Sequence, residues 1–317
     1  MKKWLITATV LVLVGLLVFG GVMTVLKWDF KKLSTEKFET NIYSVKEEFS
    51  NIKIDTSTAD VIFLLSSDDN CRVECFEEAK EKHQVFVSDD TLTVKVVKEK
   101  KWYDYIGINF NTPKIKLYLT KDTYNSLYIN DNTGDILIPK EFEFNSVDMK
   151  LSTGKAELFA LASELLRIKA GTGKVNLGDI TAGDVIISTT TGDITVSNTK
   201  CSGNVSLLVS TGDTVIEGLE CNNFAAKGNT GDIKLTDVIV KETLFVSRST
   251  GKVDFSKCDA DEIKIQTDTG NINGSLLSDK VFTVSSATGS VNVPETTGGG
   301  KCEIIAKTGN IKITIEK

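Results

Sequence analysis

Residues 189–198 read TTTGDITVSN: a Thr-Gly-Asp turn placed directly before the alternating run Ile194, Thr195, Val196. One such turn is a hairpin corner. Here Thr-Gly recurs at Gly134, Gly154, Gly173, Gly192, Gly212, Gly231, Gly251, Gly270, Gly289 and Gly309, with successive gaps of 20, 19, 19, 20, 19, 20, 19, 19 and 20 residues. Ten copies at so constant a period define a repeat architecture rather than a set of independent hairpins.

Aligned on the glycine, the residues two and four positions later are apolar in most copies, as in Ile136/Ile138, Val175/Leu177, Ile194/Val196, Ile233/Leu235 and Ile311/Ile313, and the residue between them is mostly polar. Such alternation marks a strand with one buried face. A second apolar pair lies seven and five residues before the glycine, as in Leu127/Ile129, Leu166/Ile168, Val185/Ile187 and Ile263/Ile265. Each repeat therefore holds two short strands meeting at a corner. A unit of 19 or 20 residues cannot bury both strands alone, whereas stacking coil on coil buries like on like and satisfies the backbone hydrogen bonds. The predicted fold is all-β, a single-chain parallel β-solenoid of about ten coils, roughly 45–50 Å long at about 4.8 Å per coil. Glycine supplies a backbone conformation with positive φ at the corner, and Asp or Asn beside it can bond the turn.

The pattern also occurs once in degenerate form as IKIDTSTADVIF, with Ile52, Ile54, Val61 and Phe63 in the core columns and Ala59 at the glycine position. Between Ala59 and Gly134 lie 75 residues, too many for one coil, with strand-like runs that are expected to form a β-rich cap over the first coil. At the other end the last coil has no capping helix and is expected to be covered by residues 294–301 or by a partner. Leu5 to Leu26 is an uncharged apolar run that spans roughly 33 Å as a helix, enough for a bilayer core. It is longer than the usual signal-peptide core of about 7–15 residues, so the expectation is an uncleaved anchor. The lysines flanking it on both sides leave its orientation open. The resulting organisation is a tail at 1–4, a transmembrane helix at 5–26, a stalk at 27–37, a first coil and cap at 38–125, and solenoid repeats at 126–317.

Beyond the first 26 residues the chain carries 35 basic and 43 acidic side chains, a net of about −8, which argues against a nucleic-acid surface. No glycine-rich phosphate loop is present, because the glycines are spaced by coil. Asp193, Asp213 and Asp232 occupy one corner on three successive coils. Such a ladder could hold calcium or supply paired acids to a polysaccharide-active β-helix. The expected reading is solvated turn residues, because other copies carry Lys155, Asn271, Ser290 and Asn310 there. Replacing all three with Asn is then expected to leave stability unchanged or slightly higher. The single histidine, His83, is expected on the surface or half-buried, and its being alone argues against a histidine-based metal site or a Ser-His triad. The six cysteines read as small buried hydrophobes, with a Cys201–Cys221 bridge as the alternative. Trp102, Tyr103, Tyr105 and Phe110, near Lys98, Lys100 and Lys101, are expected to pack the cap on the first coils, with binding as the alternative; they are the one aromatic patch nominated for it.

Taken together, the Lys-Lys start before the apolar run, FSNIKIDTSTADV, KWYDYIGINF, PKIKLYL and the serial STGD-type turns resemble a bacterial putative-adhesin family of β-strand-repeat proteins, from about Phe49 to Lys317. The resemblance implies a right-handed β-helix, often membrane-tethered in Gram-positive bacteria and near envelope-stress genes, in a domain of unknown function with no catalytic residues to carry over. The functional expectation is a single-pass, membrane-anchored, extracytoplasmic β-solenoid: a non-enzymatic adhesion, interaction or scaffold module of the cell envelope. It has no cofactor and no metal, and its partner is an envelope protein or a polysaccharide. The alternatives are an accessory of an envelope-stress signalling system and a polysaccharide-active enzyme.

Overall fold

The structure, a computed structural model, describes residues 2–33, 36–98 and 111–316. Among the described residues one long helix, α1 (Lys2–Val25), is followed by a short 3-10 turn at Phe30–Leu33, and the strands begin with β1 (Phe38–Ser44). Apolar side chains cover α1 on all sides, and its most apolar window is fully exposed in the structure.

The predicted coils are present and pair in parallel. Sixteen strands, from β8 (Thr123–Thr133) and β9 (Ile136–Ile138) to β22 (Glu262–Thr269) and β23 (Ile272–Leu276), alternate between two columns, and each pairs with the strand one coil away. The register is the one that the glycine alignment demands. Val175 lies against Ile194 and Ile194 against Thr214, while Val185 lies against Val205. Ile194 and Val196 are 1% exposed or less, and Thr195 between them faces outward. The core is thus one continuous stack, mostly of Ile, Val and Leu with Phe, Ala and Cys among them, that runs the length of the rod.

Two physical reasons fix glycine at the corner. Eight of the ten Thr-Gly glycines have φ between 120° and 152°, a region that side chains with a Cβ rarely enter. They also stack directly on one another, so a Cβ on Gly192 would be driven into the Gly173 carbonyl.

Neither end of the rod stacks in chain order. At the N-terminal end, β2 (Asn51–Thr56) and β3 (Asp60–Leu65) form the degenerate coil. It is flanked on one side by β8 and β9 and on the other by β6 (Thr91–Lys98) and β7 (Lys114–Leu119). Outside β6 and β7 lies an antiparallel layer made by the hairpin of β4 (Arg72–Glu78) and β5 (Glu81–Ser88), with β1 added along β4. The β-rich cap is therefore a further coil plus this antiparallel closure.

At the C-terminal end, β22 and β23 pair with β26 (Gly300–Thr308) and β27 (Ile311–Ile315), and β24 (Lys280–Ser286) and β25 (Val291–Asn292) lie outermost. The chain skips a layer and then returns to fill it. The composition of the two coils explains this order. Cys302, Ile304, Ile311 and Ile313 fill the core columns of the inner coil at 2% exposure or less, whereas the outermost strand β24 is richer in Ser and Thr. The last coil in sequence is thus covered by the preceding one.

Candidate functional site

Asp193, Asp213 and Asp232 fall on successive coils at the same corner, and each carboxylate is engaged by the backbone of the next coil. Asp193 Oδ1 accepts from the Asp213 amide at 3.1 Å, Asp213 Oδ1 from the Asp232 amide at 2.8 Å, and Asp232 Oδ1 from the Lys252 amide at 2.8 Å. Asp135 does the same for Lys155 at 2.8 Å, and Asn271 for Asn310 at 2.9 Å. The amide acceptor, not the charge, is therefore what these corners share. Asp193 Oδ2 also lies 3.2 Å from Lys174 Nζ. The Asp213 amide, with Lys174 as the smaller contributor, holds the Asp193 carboxyl below the ordinary carboxylate range.

Beneath this corner lies a residue that the reading of the repeats passed over. Arg248 stands three positions before its glycine and points inward at 2% exposure, in a column whose other members include Leu151, Ala170 and Val209. It donates to Val209 O at 3.0 Å, Thr214 Oγ1 at 3.1 Å and Gly212 O at 3.3 Å, while its Nε has no partner. Its neighbour in the adjacent coil is Gly228, and a Cβ there would collide with the guanidinium. Burial pulls the Arg248 pKa down, and the charges of Asp213 and Asp232 oppose that. Two of the three corner aspartates are thus counter-charges of a buried cation. The column that holds Arg248 is mixed, with Asp131, Thr189 and Thr267 buried in it beside Leu151 and Val209, so the period alone does not mark the arginine.

A second buried polar group lies at the capped end. Cys75 and Glu77 face inward from β4, at 0% exposure, and His83 faces inward from β5 at 4%. Among the described residues this is the one group in which three side chains of metal-ligating type converge, with their ligand atoms within 4.8 Å of one another. His83 Nδ1 and Glu77 Oε2 are 2.7 Å apart, and the His83 amide donates to the same oxygen at 2.6 Å. Glu77 Oε1 accepts from Asn41 Nδ2 at 2.7 Å, and His83 Nε2 is 3.0 Å from Thr56 Oγ1. Tyr43 donates to the His83 carbonyl at 2.7 Å, and burial with the nearby Glu77 charge pushes the Tyr43 pKa up to about 12. His83 is therefore fully enclosed rather than half-buried, because β5 lies across the end of the rod and turns its alternate residues into it.

All six cysteines are free; five are buried and Cys71 is partly so. Burial pushes the Cys201 and Cys221 thiols up to about 12. The aromatic patch of Trp102, Tyr103, Tyr105 and Phe110 lies outside the described residues.

The tip opposite the cap is open. Among the described residues, β24 pairs only with β26 and β25 only with β27, so each leaves one edge without a strand. The inward positions of this coil are Phe282, Val284, Val291 and Val293; three are part-exposed and Val291 is 43% exposed. Residues 281–294 carry no charged side chain.

A Bacteroides fragilis protein named "putative adhesin" is similar in structure, with TM-score 0.43 and 18% identity over 88% of this chain and 98% of that one. A Parabacteroides distasonis protein named "putative lipid binding protein" gives TM-score 0.48 and 16% identity over 76% of this chain and 98% of that one. No curated protein matches the chain. The profile of the Toastrack DUF4097 family matches residues 49–208 and again 200–317, nearly the whole β-rod, and the chain belongs to that family.

Proposed function

We propose that the protein is a membrane-anchored, extracytoplasmic interaction module of the bacterial envelope, without enzymatic activity, in which α1 spans the bilayer and the rod presents its open tip to a partner. The observation that carries this reading is the contrast between the two ends. The end joined to α1 is closed by β1, β4 and β5 and lined with polar side chains such as Asn41, Tyr43 and Glu77. The far end, about 12 strand spacings or roughly 58 Å away, leaves Phe282, Val284 and Val293 part-exposed and Val291 exposed, between two strand edges that no described strand pairs. Soluble proteins ordinarily blunt such edges with charge or proline, and β24 does neither at its outer positions Val281, Thr283 and Ser285. An edge of this kind suits a partner that adds a β-strand. The helix, apolar on all sides and 24 residues long, is the length that a bilayer core requires.

The test uses the full chain in its own membrane. Protease added to intact protoplasts is expected to remove the rod, and a photo-crosslinker at Thr283 is expected to capture an envelope protein. Val284→Lys, which places a charge among the inward residues of the outermost coil, should abolish that capture. A rod cut only after permeabilisation, or capture indifferent to Val284→Lys, would overturn the reading. Capture of polysaccharide instead of protein would overturn the strand-addition element.

A further inference from the structure

The capped end closes over chemistry that a cap does not need. Val73 and Cys75 on β4 continue the apolar lining of the rod, but the next inward position is Glu77, a carboxylate at 0% exposure. Burying an ionised carboxylate is costly unless charge or hydrogen bonds compensate it. The partner supplied is the only histidine in the chain, delivered by β5 after the turn at Ala79 and Lys80.

The surrounding hydrogen bonds hold the atoms on the far side of this group. Thr56 Oγ1 sits at 3.0 Å from His83 Nε2 and can accept the proton there, which leaves Nδ1 as the nitrogen turned toward Glu77. Asn41 holds Glu77 Oε1, and the His83 amide fixes Oε2. A ring nitrogen tied back by an acceptor, and a carboxylate held through its other oxygen, are what orients ligands around a bound metal.

We propose that Cys75 Sγ, Glu77 Oε2 and His83 Nδ1 bind one divalent transition-metal ion of the zinc class, which pins the β4–β5 hairpin over the first coils. A thiolate and an imidazole beside one carboxylate select zinc-like ions over calcium or magnesium, which take oxygen ligands. On binding, the Cys75 thiol proton and the proton shared by His83 Nδ1 and Glu77 Oε2 leave to solvent, and the ion takes their place. The 2.7 Å nitrogen–oxygen separation must then open to about 3.3 Å, as expected for two ligands at roughly 2.0–2.1 Å from a tetrahedral centre. Three protein ligands leave the fourth position to water. This site stands apart from the tip and does not depend on it. It also reverses the expectation from a solitary histidine: two of the ligands are two residues apart on one strand, and the third reaches them only across a hairpin.

The test is cobalt titration of the purified full-length protein, in detergent, after stripping with a chelator. The expected result is one cobalt per chain with a thiolate-to-metal absorption band that zinc displaces. Cys75→Ser should lose the band, His83→Gln should weaken binding at least tenfold, and Cys258→Ser, another buried cysteine, should change neither. A folded, stripped protein that shows no thiolate band, or a band that survives Cys75→Ser, overturns the proposal. Should a variant fail to fold, the unmodified chain decides: zinc should raise its melting temperature and saturate at one ion per chain. An unchanged melting temperature together with no bound cobalt is the negative result.

Discussion

The buried arginine makes the corner aspartates testable. Consider Asp213→Asn together with Asp232→Asn. Asparagine keeps a side-chain oxygen that can accept the next coil's amide, so the 2.8 Å bonds to the Asp232 and Lys252 amides survive while both charges go. What is lost is the field on Arg248. Its guanidinium donates to the Gly212 carbonyl, one residue from Asp213, and to Thr214 Oγ1, whose amide donates to the Asp232 carbonyl, so a charge separation on the order of 7 Å is taken for each pair. At an effective dielectric constant of about 40, between buried and solvent values because the aspartates are exposed, each pair contributes about 1 kcal/mol and the two together about 2 kcal/mol. The assay is urea unfolding, followed by far-ultraviolet circular dichroism, of four full-length proteins: the parent, the aspartate pair variant, Arg248→Met and the combination. The pair variant should lose about 2 kcal/mol where Arg248 is kept and close to nothing in the Arg248→Met background, and the difference should shrink as salt is added. The unchanged or slightly higher stability expected from turn chemistry alone belongs to the background that lacks the arginine. A coupling below about 0.5 kcal/mol would refute the counter-charge role.

Ile194→Asp, inside the stack at 0% exposure, should cost several kcal/mol, whereas Thr195→Asp should stay within about 1 kcal/mol; equal costs in denaturant melts would contradict the facing of the strand. Asp131 is 1% exposed, its Oδ2 has no hydrogen-bond partner among the described residues, and burial pushes its pKa up to about 6. The folded state then holds a proton that the unfolded chain releases near pH 4, so stability falls as pH rises from about 4 to about 6. Asp131→Asn should therefore raise the melting temperature at pH 7 and flatten that slope, and a lower melting temperature at pH 7 would contradict it. Millimolar calcium should leave the melting temperature unchanged, since each corner aspartate already spends an oxygen on a backbone amide. A calcium-dependent rise that Asp193→Asn, Asp213→Asn and Asp232→Asn abolish together would make the ladder a cation site.

The buried groups show where a linear reading loses sight of the chemistry. The Asp ladder was legible, because a constant period carries equivalent residues to equivalent places. Arg248 was not, because it stands in a column whose members range from Leu151 to Gly228, so nothing in the period announces an exception. Cys75 and Glu77 are an inward pair on any strand that begins at Arg72, but nothing local indicates that His83, six residues beyond Glu77, turns back onto them. That contact depends on β5 crossing to the other column of the rod.

The coils themselves were determined locally: two-residue alternation specifies which face of each strand is buried, and positive φ at eight of the ten Thr-Gly corners favours glycine there. These are constraints that each repeat states for itself, and they reproduce the parallel register from Thr123 to Leu276. The order of the layers at the two ends was decided only in the folded chain. Every coil presents the same apolar columns, so any coil can stack on any other, and periodicity cannot rank them. The competition for burial ranks them instead: the isoleucine-rich final coil is enclosed, and the serine- and threonine-bearing coil before it is left at the tip.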